Sequence, residues 1–370
     1  MNVTVVSTPP DENSGVGQYT QQLADVLSAH VSLRRVAVPT DGRNPVPFVS
    51  APFRAGTVDT DIVHVQFDYV LFGPKGLYTL LFFPLLWLQS RRHGFEIVVT
   101  MHEVLTDSFV TAPLVHLKRL YVDVLHTVVS SVGTVVVLSP VAADRYQTAT
   151  GREDCEYIPH GVDSNIPVER SQSAAKKEFG YDPDEQLVVE PGYISPRKGS
   201  DVFVDLARRC PELSFLLAGG PPREQYRSFF ERLKTRAPAN VQVTGRLSEE
   251  SFHTAMQAAD VVVLPYNETE QGGVVNPVTQ SGIFNWCAAH GLPVLASDCD
   301  YFRIIEREWE AVRLVDLTSL EATEQTLRAV LADDAERERL QESIDSYADA
   351  HTLEAAGASH ASLYERLVEP

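Results

Sequence analysis

The chain has 370 residues, 44% hydrophobic and 22% charged, with 50 acidic against 31 basic side chains and a net charge of −19. That length sets an expectation of two domains with sizeable cores. The charge argues against nucleic acid, or an anionic membrane, as a bulk partner. The cations are 6 Lys and 25 Arg, and an acidic, lysine-poor surface suits a high-salt cytosol in which carboxylate repulsion is screened. Cys155, Cys210, Cys287 and Cys299 are scattered without a CxxC pair. A disulfide framework or zinc site is therefore not expected, and a reducing, cytoplasmic compartment is.

The chain opens on an apolar strand over 3–7 with no basic leader, so no signal peptide is expected. A loop ending in Ser14-Gly15-Val16-Gly17 and a helix over 18–27 complete the opening of a Rossmann-like unit. It lacks the full dinucleotide fingerprint. Thr20 stands where the third glycine is required, and no acid ends the strand over 36–38. Strands follow over 61–65, 96–101, 133–138 and 156–158, with helices over 76–92, 114–130 and 141–146 between them. The most apolar run, 77–88, is too short to span a bilayer, which needs about 20 residues. It reads as a buried helix, with a peripheral membrane contact as the alternative.

Residues 163–186 are polar, with a short helix over 174–179, and read as a linker. A second series of strands covers 187–190, 214–218, 241–243, 261–264, 293–296 and 312–315. From 317 the chain is helical and acid-rich, as a solvated outer layer would be. The βα rhythm predicts an α/β protein of two doubly wound domains facing an inter-domain cleft. Its predicted parts are 1–163, 164–350 and a C-terminal helix, 351–370, packing back on the first domain.

Ligands of such sheets sit at the carboxyl ends of the strands. The stretch 188–200 is the most informative of these ends. A strand breaks at Pro191-Gly192 and offers Arg197 and Lys198 just before Gly199 and a helix. A helix N-terminus with free N–H groups and a lysine beside it makes an anion site. The alternative is an ordinary strand-to-helix turn with solvated cations. Glu190, at the end of the apolar strand, could pair with either cation. Other strand ends carry Gln66, Asp68, His102, Glu103, Arg246, Leu247 and Tyr266.

Six patterns in order resemble GT-B glycosyltransferases of the family-four group. They are the glycine loop at Gly15-Val16-Gly17, the segments 64–73 and 99–105, 158–163, the loop 192–199, and the pair 258–266 with 291–297. The resemblance implies a retaining, metal-independent transfer from a nucleotide-diphosphate sugar to a glycan or lipid-linked acceptor, without a cofactor. It places Gly15, Gly17 and Gly192 at the donor phosphates, His102 by the transferred sugar, Lys198 with Arg197 on the leaving diphosphate, and Arg246-Leu247 beside the base. Gln66, Asp68 and Glu103 fall on the acceptor side, with Tyr266 in the donor segment. Localisation is expected in the cytoplasm, including the inner face of the membrane.

One departure stands out. The family's two glutamates fall on Val278 and Trp286 here. Either Glu270 serves after an insertion, or Ser281-Gly282 starts a helix whose N–H groups hold the phosphates. The missing pair also leaves open a non-catalytic scaffold subunit, or an epimerase on the same fold.

Overall fold

The structure is a computed structural model. It describes all residues except 11–13, 41–42, 168, 269, 272–273, 276–277 and 370, and the side chains of 270, 271 and 274. Two compact units result. One comprises Met1–Gly161, Glu270–Gln280 and Leu353–Pro370; the other comprises Val162–Thr269 and Ser281–Thr352.

In the first unit the elements alternate as β1 (Asn2–Ser7), α1 (Gly15–Leu27), β2 (Ser32–Ala37), α2 (Val46–Ala55), β3 (Ile62–Phe67), α3 (Thr79–His93), β4 (Glu96–Met101), α4 (Val115–Ser130), β5 (Thr134–Val137), α5 (Pro140–Thr150) and β6 (Glu156–Tyr157). The strands form one parallel sheet in the order β2-β1-β3-β4-β5-β6. Their Val- and Ile-rich runs are buried on both faces, as helix-covered parallel strands must be. Ser14 caps α1 by accepting from Gly17 N, and Ser139 caps α5 by accepting from Ala142 N. The strand order reverses at β1, so the loops after β1 and β3 flank a switch point.

The second unit continues with α6 (Gln172–Glu178), β7 (Leu187–Pro191), α7 (Ser200–Arg209), β8 (Ser214–Ala218), α8 (Arg227–Arg236), β9 (Val241–Val243), α9 (Glu249–Ala258) and β10 (Val261–Leu264). A short antiparallel pair, β11 (Glu270–Gln271) and β12 (Val274–Val275), then belongs to the first unit. The second resumes with α10 (Gly282–Ala289), β13 (Val294–Ser297), α11 (Asp300–Trp309), β14 (Arg313–Val315), α12 (Leu320–Ala332) and α13 (Asp334–Ala350). Its parallel sheet runs β14-β13-β10-β7-β8-β9. The order reverses at β7, so the loops after β7 and β10 lie at its switch point.

The fold corrects two expectations. The outer-layer reading of the acid-rich tail does not hold for its last helix, for which packing back on the first domain was the other expectation. That helix, α14 (Leu353–Val368), packs on α1. Ala356, Ala361, Leu363 and Tyr364 join Val3, Val5, Tyr19, Leu23, Ile62 and Val98 in one core cluster. Gly357 lies so close to α1 that a Cβ would stand 2.7 Å from the Val26 side chain. The run 77–88 is also not a fully buried helix. Phe82, Phe83 and Leu86 are buried, but Leu77, Leu81, Trp87 and Leu88 are exposed. On α4, beside it, Leu117, Leu120 and Val124 are exposed as well. The helix α2 had no counterpart among the predicted elements. No helix among the described residues is long and apolar enough to cross a membrane.

Because Leu363 is only 2% exposed, Leu363→Ala should remove about 3 kcal/mol of stability. Urea unfolding checks this. A loss below about 1 kcal/mol would mean that α14 is not part of the first unit's core.

Candidate functional site

The site begins at the end of β7. Pro191 ends the strand and Gly192 follows with φ +104, its amide donating to Ala218 O (3.0 Å). The single turn Pro196–Lys198 is capped by Ser195, and Gly199 follows with φ +70. A Cβ on Gly199 would stand 1.7 Å from Pro265 O, so only glycine lets α7 start against the end of β10.

That approach sets Lys198 over Tyr266. The ammonium lies 3.7 Å from the centre of the buried ring, a cation–π contact. The Tyr266 hydroxyl is 2.7 Å from Ser281 Oγ, and Ser281 caps α10 by accepting from Phe284 N (3.1 Å). One aromatic side chain thus joins the lysine to the start of a helix whose N–H groups favour an anion. Gly192 also borders α10, since a Cβ there would meet the Ile283 side chain at 2.7 Å.

Beneath this group lies Glu190, 2% exposed. Ser200 Oγ donates to its Oε1 (2.5 Å), while Oε2 has no hydrogen-bond partner among the described residues. Burial pushes the Glu190 carboxyl up to about 8, against the Ser200 hydrogen bond and the Lys198 charge. Lys198 as a residue is half-buried. Burial pushes its ammonium down to about 7, with the Arg197 charge adding to the effect and Glu190 opposing it. Arg197 is half-buried and its carbonyl accepts from Asn267 N (2.8 Å). Arg246 is exposed and Leu247 half-buried, both just after β9.

The first unit holds a different set. His102 follows β4 and is buried. Its Nε2 lies 2.8 Å from Gln66 Oε1, which can only accept, so Nε2 carries the proton. Its Nδ1 lies 3.3 Å from Gln280 Nε2, which can only donate, so Nδ1 accepts. Thr279 Oγ1 donates to the His102 carbonyl (3.3 Å), and Ser139 Oγ holds Thr279 O (2.6 Å). Burial, then the nearby His160, pushes His102 down to about 3. It is a neutral hydrogen-bonding imidazole at physiological pH.

The glycine loop divides in two. A Cβ on Gly17 would stand 2.5 Å from Pro9 O, so its own loop demands glycine there. A Cβ on Gly15 would meet nothing within 4 Å among the described residues.

Lys198, Tyr266, Ser281, Gly282 and Gly192 thus come together in the second unit. Three expected site residues are placed otherwise. Gln66, expected on the acceptor side, is 1% exposed and gives its amide to two histidines. Tyr266 is buried and acts through the residues it holds. Asp68 accepts from Val70 N (2.9 Å), forming a turn of its own loop. Glu103 is half-buried beside His102. The side chain of Glu270 lies outside the described residues. At the glutamate positions, Val278 is buried and Trp286 packs edge-on to His253 (4.7 Å). Among the described residues no three His, Cys, Asp or Glu side chains are grouped to hold a metal ion.

The buried carboxyl predicts a pH signature. A folded pKa raised from 4.5 to about 8 means that the stability Glu190 contributes is complete below 4.5 and lost as pH rises through about 8. Between about pH 5 and about pH 7 the Glu190→Gln variant should be spared about 2 kcal/mol of the wild type's loss. Unfolding midpoints across that range check this; parallel curves would show that Glu190 is ionised when folded.

Residues 171–346 match the family described as glycosyl transferases group 1. The chain is 28% identical over 356 residues to the phosphatidyl-myo-inositol mannosyltransferase of Mycobacterium tuberculosis, covering 89% of this chain and 87% of the relative. Its fold is similar to that of the sucrose-phosphate synthase of Thermosynechococcus elongatus, with TM-score 0.77, 19% identity and 99% of each chain covered. It is similar also to Anabaena HepE in complex with UDP, with TM-score 0.76, 13% identity, and 99% of this chain and 100% of that one covered. The chain is therefore a glycosyltransferase of GT-B fold, and its residues 171–346 form a group 1 glycosyl transferase domain.

Proposed function

We propose that this glycosyltransferase takes its sugar from a nucleoside-diphosphate donor and passes it to a lipid-linked acceptor. The observation that carries the donor assignment is the Lys198–Tyr266–Ser281 arrangement at the start of α10. Cleaving the sugar–phosphate bond builds negative charge on the leaving diphosphate. A fixed cation and preset N–H groups stabilise that charge without reorganising. Arg197 adds to the cationic field. A protein of similar fold has been solved in complex with UDP, which is in keeping with a nucleotide donor.

His102 is assigned to the transferred sugar, as a neutral imidazole with an oriented ring. With no glutamate at Val278 or Trp286, Lys198 and the N–H groups of α10 carry the leaving-group charge. The transfer is proposed to be retaining and metal-independent, so activity should survive a chelator and the product should keep the donor's anomeric configuration. The lipid-linked acceptor rests on two supports. One is the relationship to a phosphatidyl-myo-inositol mannosyltransferase. The other is the exposed apolar surface of α3 and α4, bordered by Arg91, Arg92, Lys118 and Arg119. Such a surface suits peripheral docking at a membrane.

Lys198→Ala should lower kcat/KM about 100-fold or more while the fold is kept. Nucleoside-diphosphate binding by the wild type, measured calorimetrically with UDP and GDP, should weaken as pH rises above about 7, where the lysine loses its charge. The variant should lack that dependence. If both proteins bind and turn over alike, the donor site lies elsewhere. For the acceptor side, Leu117→Ser combined with Leu120→Ser should lower binding to vesicles of anionic phospholipid several-fold without affecting UDP or GDP binding. Unchanged vesicle binding would remove the membrane-docking reading.

A further inference from the structure

The polar contacts of His102 do not end at Gln66. His64 and Gln66 are two residues apart on β3, so their side chains share a face of the strand. Gln66 Nε2 lies 3.1 Å from His64 Nε2, and Thr100 Oγ1 lies 2.7 Å from the same nitrogen. The amide can only donate, so His64 Nε2 accepts and the hydroxyl of Thr100 donates to it. The proton of His64 is then on Nδ1, which donates to Tyr364 OH at 2.6 Å. Tyr364 is fully buried on α14, and the ring of His360, one turn earlier, lies tilted to that of His64 with ring centres 5.2 Å apart. All the donors therefore point one way: Gln280 to His102, His102 to Gln66, Gln66 to His64, and His64 to Tyr364.

An amide has one donating and one accepting end. Gln66 therefore cannot serve the two histidines independently. If His64 moved its proton to Nε2, Thr100 Oγ1 could accept it, but the Gln66 N–H₂ would lose its acceptor and face an N–H. Relief would require turning the amide, which would then present N–H₂ to His102 Nε2 and drive the His102 proton to Nδ1. That in turn would oppose Gln280. Whatever holds the His64 proton on Nδ1 thus fixes His102, and the group that accepts from Nδ1 is Tyr364.

We propose that Tyr364, on the C-terminal helix, is a positioning residue for His102, setting its tautomer and ring orientation through His64 and Gln66. The consequence for transfer rests on the reading of His102 given above. The tautomer itself does not, and it is observable without activity.

The test uses full-length protein labelled with ¹⁵N-histidine, in which long-range ¹H–¹⁵N spectra report each imidazole's tautomer. The His102 signals are identified by their loss in His102→Gln. In the wild type His102 should show a protonated Nε2 and a bare Nδ1. Tyr364→Phe removes only the accepting hydroxyl, and should convert His102 to a mixture of tautomers and lower kcat about tenfold with donor KM unchanged. Gln66→Met breaks the link, and in that background Tyr364→Phe should leave His102 unmoved. A His102 that stays protonated on Nε2 in Tyr364→Phe overturns the proposal. So does a change equally large in the Gln66→Met background, which would mark a general disturbance of the core. If the tautomer shifts and kcat does not, the relay stands and the placement of His102 at the transferred sugar falls.

Discussion

The contact between Lys198 and Tyr266 organises the chemistry of the second unit. A lysine can approach an aromatic face this closely only if the backbone that carries it approaches too. Gly199 makes that possible by letting the start of α7 rest on the Pro265 carbonyl. The same tyrosine reaches Ser281 with its hydroxyl, so a cation and a helix N-terminus are held by one rigid ring with two rotatable bonds. Rigidity matters because a charge that must reorganise during bond cleavage stabilises less than one already in place. Glu190 completes the arrangement from beneath. Its raised carboxyl and the depressed lysine share one cause, burial.

The first unit solves a different problem. Its buried polar residues, His64, Gln66, Thr100, His102 and Tyr364, sit on the ends and faces of central strands where an unsatisfied group is costly. They satisfy one another in a line and leave the histidines neutral, because burial disfavours their charged forms. The line ends on α14, which therefore does more than cover apolar surface. It supplies Leu363 and Ala361 to the core and a hydroxyl to the network, from a segment more than three hundred residues from β1.

Much of this was legible in advance. The Val-rich strands, the helix starts at Ser139-Pro140 and Ser281-Gly282, and the anion-site pattern at Arg197-Lys198 are local features, and local rules suffice to read them. The exposed side of α3 was not. A run of twelve residues so rich in Leu and Phe has no polar face for periodicity to detect, so which side meets solvent is decided by α2 and α4 packing on it. The role of Gln66 was misplaced for a related reason. A glutamine after a strand of an α/β sheet reads as a ligand-facing residue, and only the position of His64 on the same face turns it inward. The spacing of α14, with Leu353, Ala356, Gly357, His360, Ala361 and Tyr364 on one side, carries a helical signal for burial that the acidic composition of the tail as a whole does not show.

The sequence by itself determined that this is a two-part α/β chain with strand-end glycines, a lysine before a helix, and no glutamate pair in the expected places. Those are statements about neighbours along the chain, where spacing and residue type carry the physics. Tertiary structure decided which of these residues act together. It alone placed Lys198 on Tyr266, put a desolvated Glu190 below them, and joined His102 to Tyr364 through two side chains. Burial and hydrogen-bond direction depend on groups far apart in the sequence, and they settle which atoms hold a proton and which face a ligand.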